Sequence, residues 1–353
     1  MMFGRSDFGA VQRRWDDFWA GKNSGPMYSI TVPKNGVECM PKPHWLAGYG
    51  GDYQAVADTL ARWADSCEFY GGAMAMFPLS FGSDNFAAFC GADLALAPAG
   101  DTTWPSHPLK TLKGVRIAFD PNGKWWSRMV EYHHVLKRTL GDTVLLCIQN
   151  LSGGLDGLVG LYGNTNVLLD MVDEPEAVRE ALEQIDEAFT QAHEACAKLF
   201  EYEKYGSGIR LGLYSRGAAG VPQCDTSCMI SSEMFEEFAV PGLLHELDSL
   251  DAVVYHLDGP GVLRHLDRLA GMPKIRAIQW VAGAGEAASR DWTPLRRQIL
   301  SLGKGLLLHG DAGQVAQMRR ELPSKDIFFE VKGLKSRAQA EDFLAGMEQM
   351  KTR

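Results

Sequence analysis

The chain has 353 residues, 46% hydrophobic and 22% charged, a balance that excludes a disordered chain and is ample for a large buried core. Against 44 Asp and Glu stand only 35 Lys and Arg, a net charge of -9 with no basic cluster to neutralise a phosphate backbone, which argues against nucleic-acid binding. No segment approaches ~20 uninterrupted apolar residues, and the start MMFGRSDFGAVQRRWDDFW has no apolar run of signal-peptide length, so no membrane association and a cytoplasmic location are expected.

In chain order, the sequence predicts a helix over 8–20, a strand MYSITVP (27–33), a helix over 52–67 and a strand GAMAMFPLS (72–80). TVLLCIQN (143–150) reads as the third strand, and the acidic, proline-led DEPEAVREALEQIDEAFTQAHEACAKLFE as a long helix, since helix amino termini favour both features. IRLGLYS (209–215) reads as the fourth strand. Helix 232–249, strand DAVVYHLDG (251–259), helix 261–270, strand IRAIQWVAG (275–283) and helix 293–302 follow. GLLLHGDAG (305–313), helix 314–321, strand IFFEVKG (327–333) and helix 336–350 complete the chain.

These are eight apolar, non-alternating strands separated by helices, a pattern that implies a parallel sheet buried on both faces. The expectation is an α/β protein: a single-domain (β/α)8 TIM barrel over residues 27–353 behind a short helical extension, 1–26. A doubly wound open sheet is the alternative.

Barrel enzymes do their chemistry at the carboxyl ends of the strands. Here Asp84 and Asn85 follow the second strand, Gln149 and Asn150 end the third, and Tyr214 and Arg216 the fourth. His256 and Asp258 end the fifth, Gln279 and Trp280 the sixth, His309 and Asp311 the seventh, Glu330 and Lys332 the eighth. His256 and Asp258, two apart on a strand, point the same way, and such a pair suits metal ligation or a carboxylate-oriented imidazole. A strand-end histidine satisfied by its neighbour is the plainer reading. His309 in HGDAG repeats the local form, and Glu330 with Lys332 is either a ligand-facing pair or two solvated strand ends.

Seven cysteines, at 39, 67, 90, 147, 196, 224 and 228, form no CxxC pair, which argues against both a disulfide framework and a zinc ribbon. In CDTSC (224–228) the acid Asp225 is a stronger site candidate than the thiols. LSGGLDGLVG (151–160) lacks either nucleotide-binding fingerprint. Of Trp104, Trp125, Trp126, Trp280 and Trp292, only Trp280 ends a strand and joins the candidate pocket.

FGSDNFAAFCGADLALAP with DTTWPSHPL behind it, GNTNVLLDMVDEPEAV, ISSEMFEEFAVPGL, YHLDGPGVLRHLDRL, IRAIQWVAG and the terminal SRAQAEDFL follow one another over residues 70–350. In that order they resemble the uroporphyrinogen decarboxylase superfamily, which joins the haem-pathway decarboxylase to methyltransferases that serve corrinoid proteins. Asp84 matches the family's acidic residue after the second strand, and Asp225 falls near a pocket hydroxyl position. The decarboxylase's arginine-rich motif is replaced here by PHWLAGYGG (43–51), and its late histidine by EVKGL (330–334), departures that argue against an octa-acid substrate.

The methyltransferase branch implies zinc held by a His-x-Cys pair and a later cysteine. His256 matches that histidine, Asp258 replaces the first cysteine, and Glu330 or Lys332 stands near the second; aspartate and glutamate remain competent zinc ligands.

The resemblance therefore implies an enzyme moving a methyl group between a small O- or N-methyl compound and a corrinoid on a partner protein, zinc being held by His256, Asp258 and Glu330. His256, Asp258, Asp225 and Asp84 are its candidate catalytic groups. Asn150, Tyr214, Arg216, Gln279, Trp280, His309 and Lys332 are the candidate substrate contacts, and a homodimer is compatible with the sequence. The alternative is a metal-free lyase or decarboxylase on a carboxylated or pyrrolic substrate, with Arg216 and Lys332 binding anionic groups. A non-enzymatic ligand-binding barrel fits the polar strand ends poorly.

Overall fold

A computed structural model describes residues 2–149, 151–283 and 285–350. Nine strands carry the architecture: β1 (Met27–Pro33), β2 (Cys67–Gly71), β3 (Met76–Leu79), β4 (Leu145–Ile148), β5 (Ala219–Gly220), β6 (Ala252–Asp258), β7 (Ile275–Val281), β8 (Gly305–Asp311) and β9 (Ile327–Lys332). Seven of them form one sheet in the order β2-β1-β9-β8-β7-β6-β5, parallel except where β2 runs against β1. β3 and β4 form a separate parallel pair. Among the described residues no ladder joins β2 to β3 or β4 to β5, so the observed sheet is an open, mainly parallel one and the closed ring of eight strands is not seen as such.

Helices alternate with the later strands as the periodicity predicts: 232–248, 266–270, 293–301, 312–321 and 337–348. Two strand expectations change. Residues 209–215 are not a sheet strand, because Gly212 adopts φ +77° and folds the chain back, pairing Ser207–Gly208 antiparallel with Tyr214–Ser215. The parallel neighbour of β6 is instead β5, five residues further on. Residues 68–71, which the sequence reading leaves unassigned between the helix 52–67 and the strand 72–80, belong to β2, which turns at Gly71, φ +62°, where a Cβ would lie 2.0 Å from the Tyr28 carbonyl oxygen.

The amino-terminal helix Phe8–Trp19 buries Phe8, Val11, Trp15 and Phe18, spaced three and four apart on one face. Trp15 packs on Phe328 at the start of β9, with ring centroids 5.5 Å apart, and donates to the Gly72 carbonyl at 3.1 Å. The helix thus covers the amino ends of the strands and shares their core.

Register sets up a polarity gradient along the sheet. Near the strand starts, Met27, Phe328, Leu307, Ala277 and Val254 meet in one apolar cluster with Met76 and Leu145 of β3 and β4. Two residues on, the same face carries Ser29, Glu330, His309, Gln279 and His256; Ser29 and His309 both lie in register with Glu330, and Gln279 with His256. The sheet is sealed at its amino end and presents polar groups at its carboxyl end.

Candidate active site

The site begins where β6 ends. His256 and Asp258 project from one face, and the chain at Pro222 and Gln223 extends the parallel contact beside β6, the His256 amide donating to the Pro222 carbonyl at 2.9 Å. That alignment delivers Asp225, which opens a 3-10 turn Asp225–Met229, to the two strand residues. Asp225, His256 and Asp258 each place a ligand atom within 4.8 Å of the others.

Hydrogen bonds fix two of the three, His256 and Asp225. His256 Nδ1 lies 2.8 Å from Gln279 Oε1; an amide oxygen only accepts, so Nδ1 carries the proton and Nε2 keeps its lone pair. Arg210 donates to Gln223 Oε1 at 2.9 Å, and Gln223 Nε2 donates to Asp225 Oδ2 at 3.0 Å. Asp156, on the helix Gly154–Tyr162, accepts from the amides of Asp225 and Thr226 at 2.8 and 3.2 Å and from the Thr226 hydroxyl at 3.0 Å, which holds the turn in place. Asp258 Oδ1 is buried with no hydrogen-bond partner among the described residues.

Electrostatics follow from this crowding. Asp225 is exposed and lines a cavity with Asp156; desolvation by the surrounding protein, then Asp156 and Asp258, push its carboxyl up to about 7. Burial, then Arg210, pushes the His256 imidazole below its ordinary value, which favours the neutral, ligating form. Burial raises the Asp84 carboxyl too, with the nearby negative charge of Asp156 adding to it and the Ser83 hydroxyl, donating at 2.6 Å, opposing it.

Two cavities adjoin the trio. One of about 350 Å³ lies over the polar layer of the sheet and is lined by Lys42, Arg210, Gln279, Trp280, His309 and Glu330 among others. The other, about 270 Å³, is lined by Asp84, Asp156, Gln223, Asp225 and Thr226. Arg210 and Gln223 connect them. Among the described residues, Lys42, Arg210 and Arg296 line the first cavity without a carboxylate at ion-pair distance, and Arg296 Nε is buried and unpartnered.

Of the residues singled out in the sequence, His256, Asp258, Asp225 and Gln279 come together, and Asp84 faces Asp225 across the smaller cavity. Trp280 and His309 line the larger cavity, Trp280 packing edge-on to Trp292 at 4.8 Å with its indole nitrogen buried and unpartnered. Glu330 lines that cavity and pairs with Lys332 at 3.1 Å; the group of donors that could hold a metal ion joins His256 and Asp258 to Asp225 and does not include Glu330. Asn150 lies outside the described residues.

Tyr214 and Arg216 sit at the opposite end: the Tyr214 hydroxyl accepts from Gln12 at 2.8 Å and donates to the Tyr205 carbonyl at 2.9 Å, while Arg216 pairs with Asp16 at 2.8 Å. Both anchor the amino-terminal helix. Reading 209–215 as a strand put them at the wrong end.

Sequence reasoning missed Asp156, Arg210, Gln223 and Lys42. Asp156 had a legible signal, the lone charge in the apolar helix GLDGLVGLY; the others became site residues only through the hairpin at 209–215 and the fold of the loop before residue 46.

Sheet and site together define a class: an α/β protein whose mainly parallel sheet gathers a His–Asp–Asp cluster at its carboxyl end. Among solved structures, the chain is similar to a methyltransferase from Methanosarcina mazei, with a TM-score of 0.58 over 96% of this chain and 98% of that one, at 13% identity. The likeness is one of fold. No family model and no curated protein matches the chain. Among the described residues no helix is long and apolar enough to cross a membrane.

Proposed function

We propose that the protein is a methyltransferase that moves a methyl group between a small O- or N-methyl compound and a corrinoid carried by a partner protein, with zinc at Asp225, His256 and Asp258. The carrying observation is the convergence of these three donors. Zinc bonds of about 2.0–2.2 Å bring ligand atoms within roughly 4 Å of one another, so the observed spacing closes on an ion with a shift of under about 1 Å. Two carboxylates and a neutral imidazole balance a dication, Gln279 orients the imidazole as outer-shell partners do, and the unpartnered Asp258 oxygen gains a ligand.

An ether or amine releases its methyl group readily only when the heteroatom left behind is stabilised as it departs. Zinc would supply that Lewis acidity. The chain's own residues supply the rest: Arg210, through Gln223, holds Asp225 in position, and Gln279 fixes the His256 tautomer. Lys42, Arg210 and Arg296 form a cationic wall suited to a donor bearing an anionic group, with Trp280 as an apolar side. The fold likeness to a methyltransferase and the family resemblance of the sequence support this reading. So does the arrangement of Met76, Leu145 and Cys147 in the same cluster as the main sheet, which fits a barrel completed by β3 and β4.

The test mixes the protein with reduced cobalamin and a panel of methoxylated and N-methylated acids, following methylcobalamin formation by its absorbance. Turnover that chelation abolishes and zinc restores is expected. Absence of methylcobalamin with every donor contradicts the proposal. One observation favours the lyase reading instead: Asp225, with its carboxyl near 7, keeps a proton that a carbanion-like carbon could accept. Carbon dioxide release from the same acids, insensitive to chelators, would decide for it.

A further inference from the structure

Cys39 and Cys67 are distant in sequence, and nothing in their spacing pairs them. In the fold their sulfurs stand 3.0 Å apart, about 1 Å beyond the roughly 2.05 Å of a disulfide bond. The approach is built by the backbone. After β1 the chain turns outward, and Ser66 holds both ends of the excursion: its carbonyl accepts from the Lys34 amide at 2.9 Å, and its hydroxyl accepts from the Met40 amide at 3.0 Å while donating to the Trp63 carbonyl at 2.8 Å. Cys39 is thereby set against the first residue of β2. Cys39 is exposed and Cys67 buried, an arrangement in which one thiol meets an external reagent and the other waits behind it.

We propose that Cys39 and Cys67 are a redox-active pair whose disulfide ties the 34–46 segment to the edge of the sheet. The consequence reaches the larger cavity, because the same segment carries Lys42, whose ammonium lies 5.0 Å from the Trp63 ring centroid and lines that cavity. The oxidant is a low-molecular-weight disulfide. The Cys39 thiolate attacks one of its sulfurs, forming a mixed disulfide and expelling a thiolate. Cys67, losing its proton, then attacks the Cys39 sulfur and expels the second thiolate, so two protein thiols and one external disulfide become one protein disulfide and two external thiols. Oxidation fixes the Lys42 segment on β2; reduction leaves it held by non-covalent contacts, the Ser66 hydrogen bonds, the Lys34–Asp65 ion pair and the Lys42–Trp63 contact among them.

Exchange of the full chain with glutathione disulfide, followed by peptide mass spectrometry, tests this without reference to catalysis. Peptides containing Cys39 and Cys67 should appear joined, two hydrogens lighter than their sum. Cys228, exposed and without such a neighbour, should carry glutathione instead, and Cys39→Ser should abolish the cross-link. Trypsin should cleave after Lys34 at least several-fold more slowly in the oxidised protein. The proposal is overturned by Cys39 found only as its glutathione adduct, by a cross-link that survives Cys39→Ser, or by equal cleavage rates in both redox states.

Discussion

The amide oxygen of Gln279, 2.8 Å from His256 Nδ1, decides which imidazole nitrogen of His256 is available. Replacing Gln279 with leucine keeps the volume and removes the acceptor, so zinc affinity is expected to fall about 10–100-fold with the fold intact. Competition with a chromogenic chelator measures this, and unchanged affinity would remove Gln279 from the site. The His256 and Asp258 pair was legible in the sequence because strand periodicity alone puts both on one face. Asp225 was legible as a site acid but not as their third donor, because it arrives by way of a 3-10 turn held by Asp156, 69 residues earlier. Glu330, chosen from family position, has the right chemistry but pairs with Lys332 and is not in that donor group.

Elements were read well where apolar periodicity was long and badly where glycine reversed the chain. β6 to β9 follow the sequence reading to within two residues, as do their helices except 261–270, which opens as the 3-10 turn Pro260–His265; two of the misreadings lie at Gly71 and Gly212, both with positive φ, and the helix Lys124–Leu140 was read only as a connection. Gly71→Ala tests that account. The backbone conformation alone costs about 1–3 kcal/mol, and the added Cβ meets the Tyr28 carbonyl oxygen at 2.0 Å. Gly114→Ala, at φ +66° with nothing within 4 Å, carries only the conformational cost. Urea denaturation should show Gly71→Ala as clearly the less stable of the two; equal losses would mean that β2 yields without resistance.

Across the whole molecule, stability and site share an acidic core. Glu246 is fully buried, accepts from the Gly153 amide at 3.0 Å at the start of the Asp156 helix, and is pushed up to about 8 by burial, with Asp156 and Asp186 adding to the rise. A carboxyl whose folded value is raised stabilises the fold fully below its unfolded value of 4.5 and loses that contribution as pH climbs through about 8. Chemical denaturation across that window should therefore show wild-type stability declining relative to Glu246→Gln, whose amide keeps neutral polarity at every pH. Parallel curves would show that Glu246 ionises as freely folded as unfolded.

The same concentration of acids, in a chain of net charge -9, underlies the proposal of a dication at the carboxyl end of the sheet. Elemental analysis of protein purified without chelators, wild type beside His256→Ala, tests that claim most directly. About one zinc per chain in the wild type and a large loss in the variant is the expected result. A wild-type protein that holds no metal even after incubation with zinc, or a variant that keeps its full complement, would contradict it.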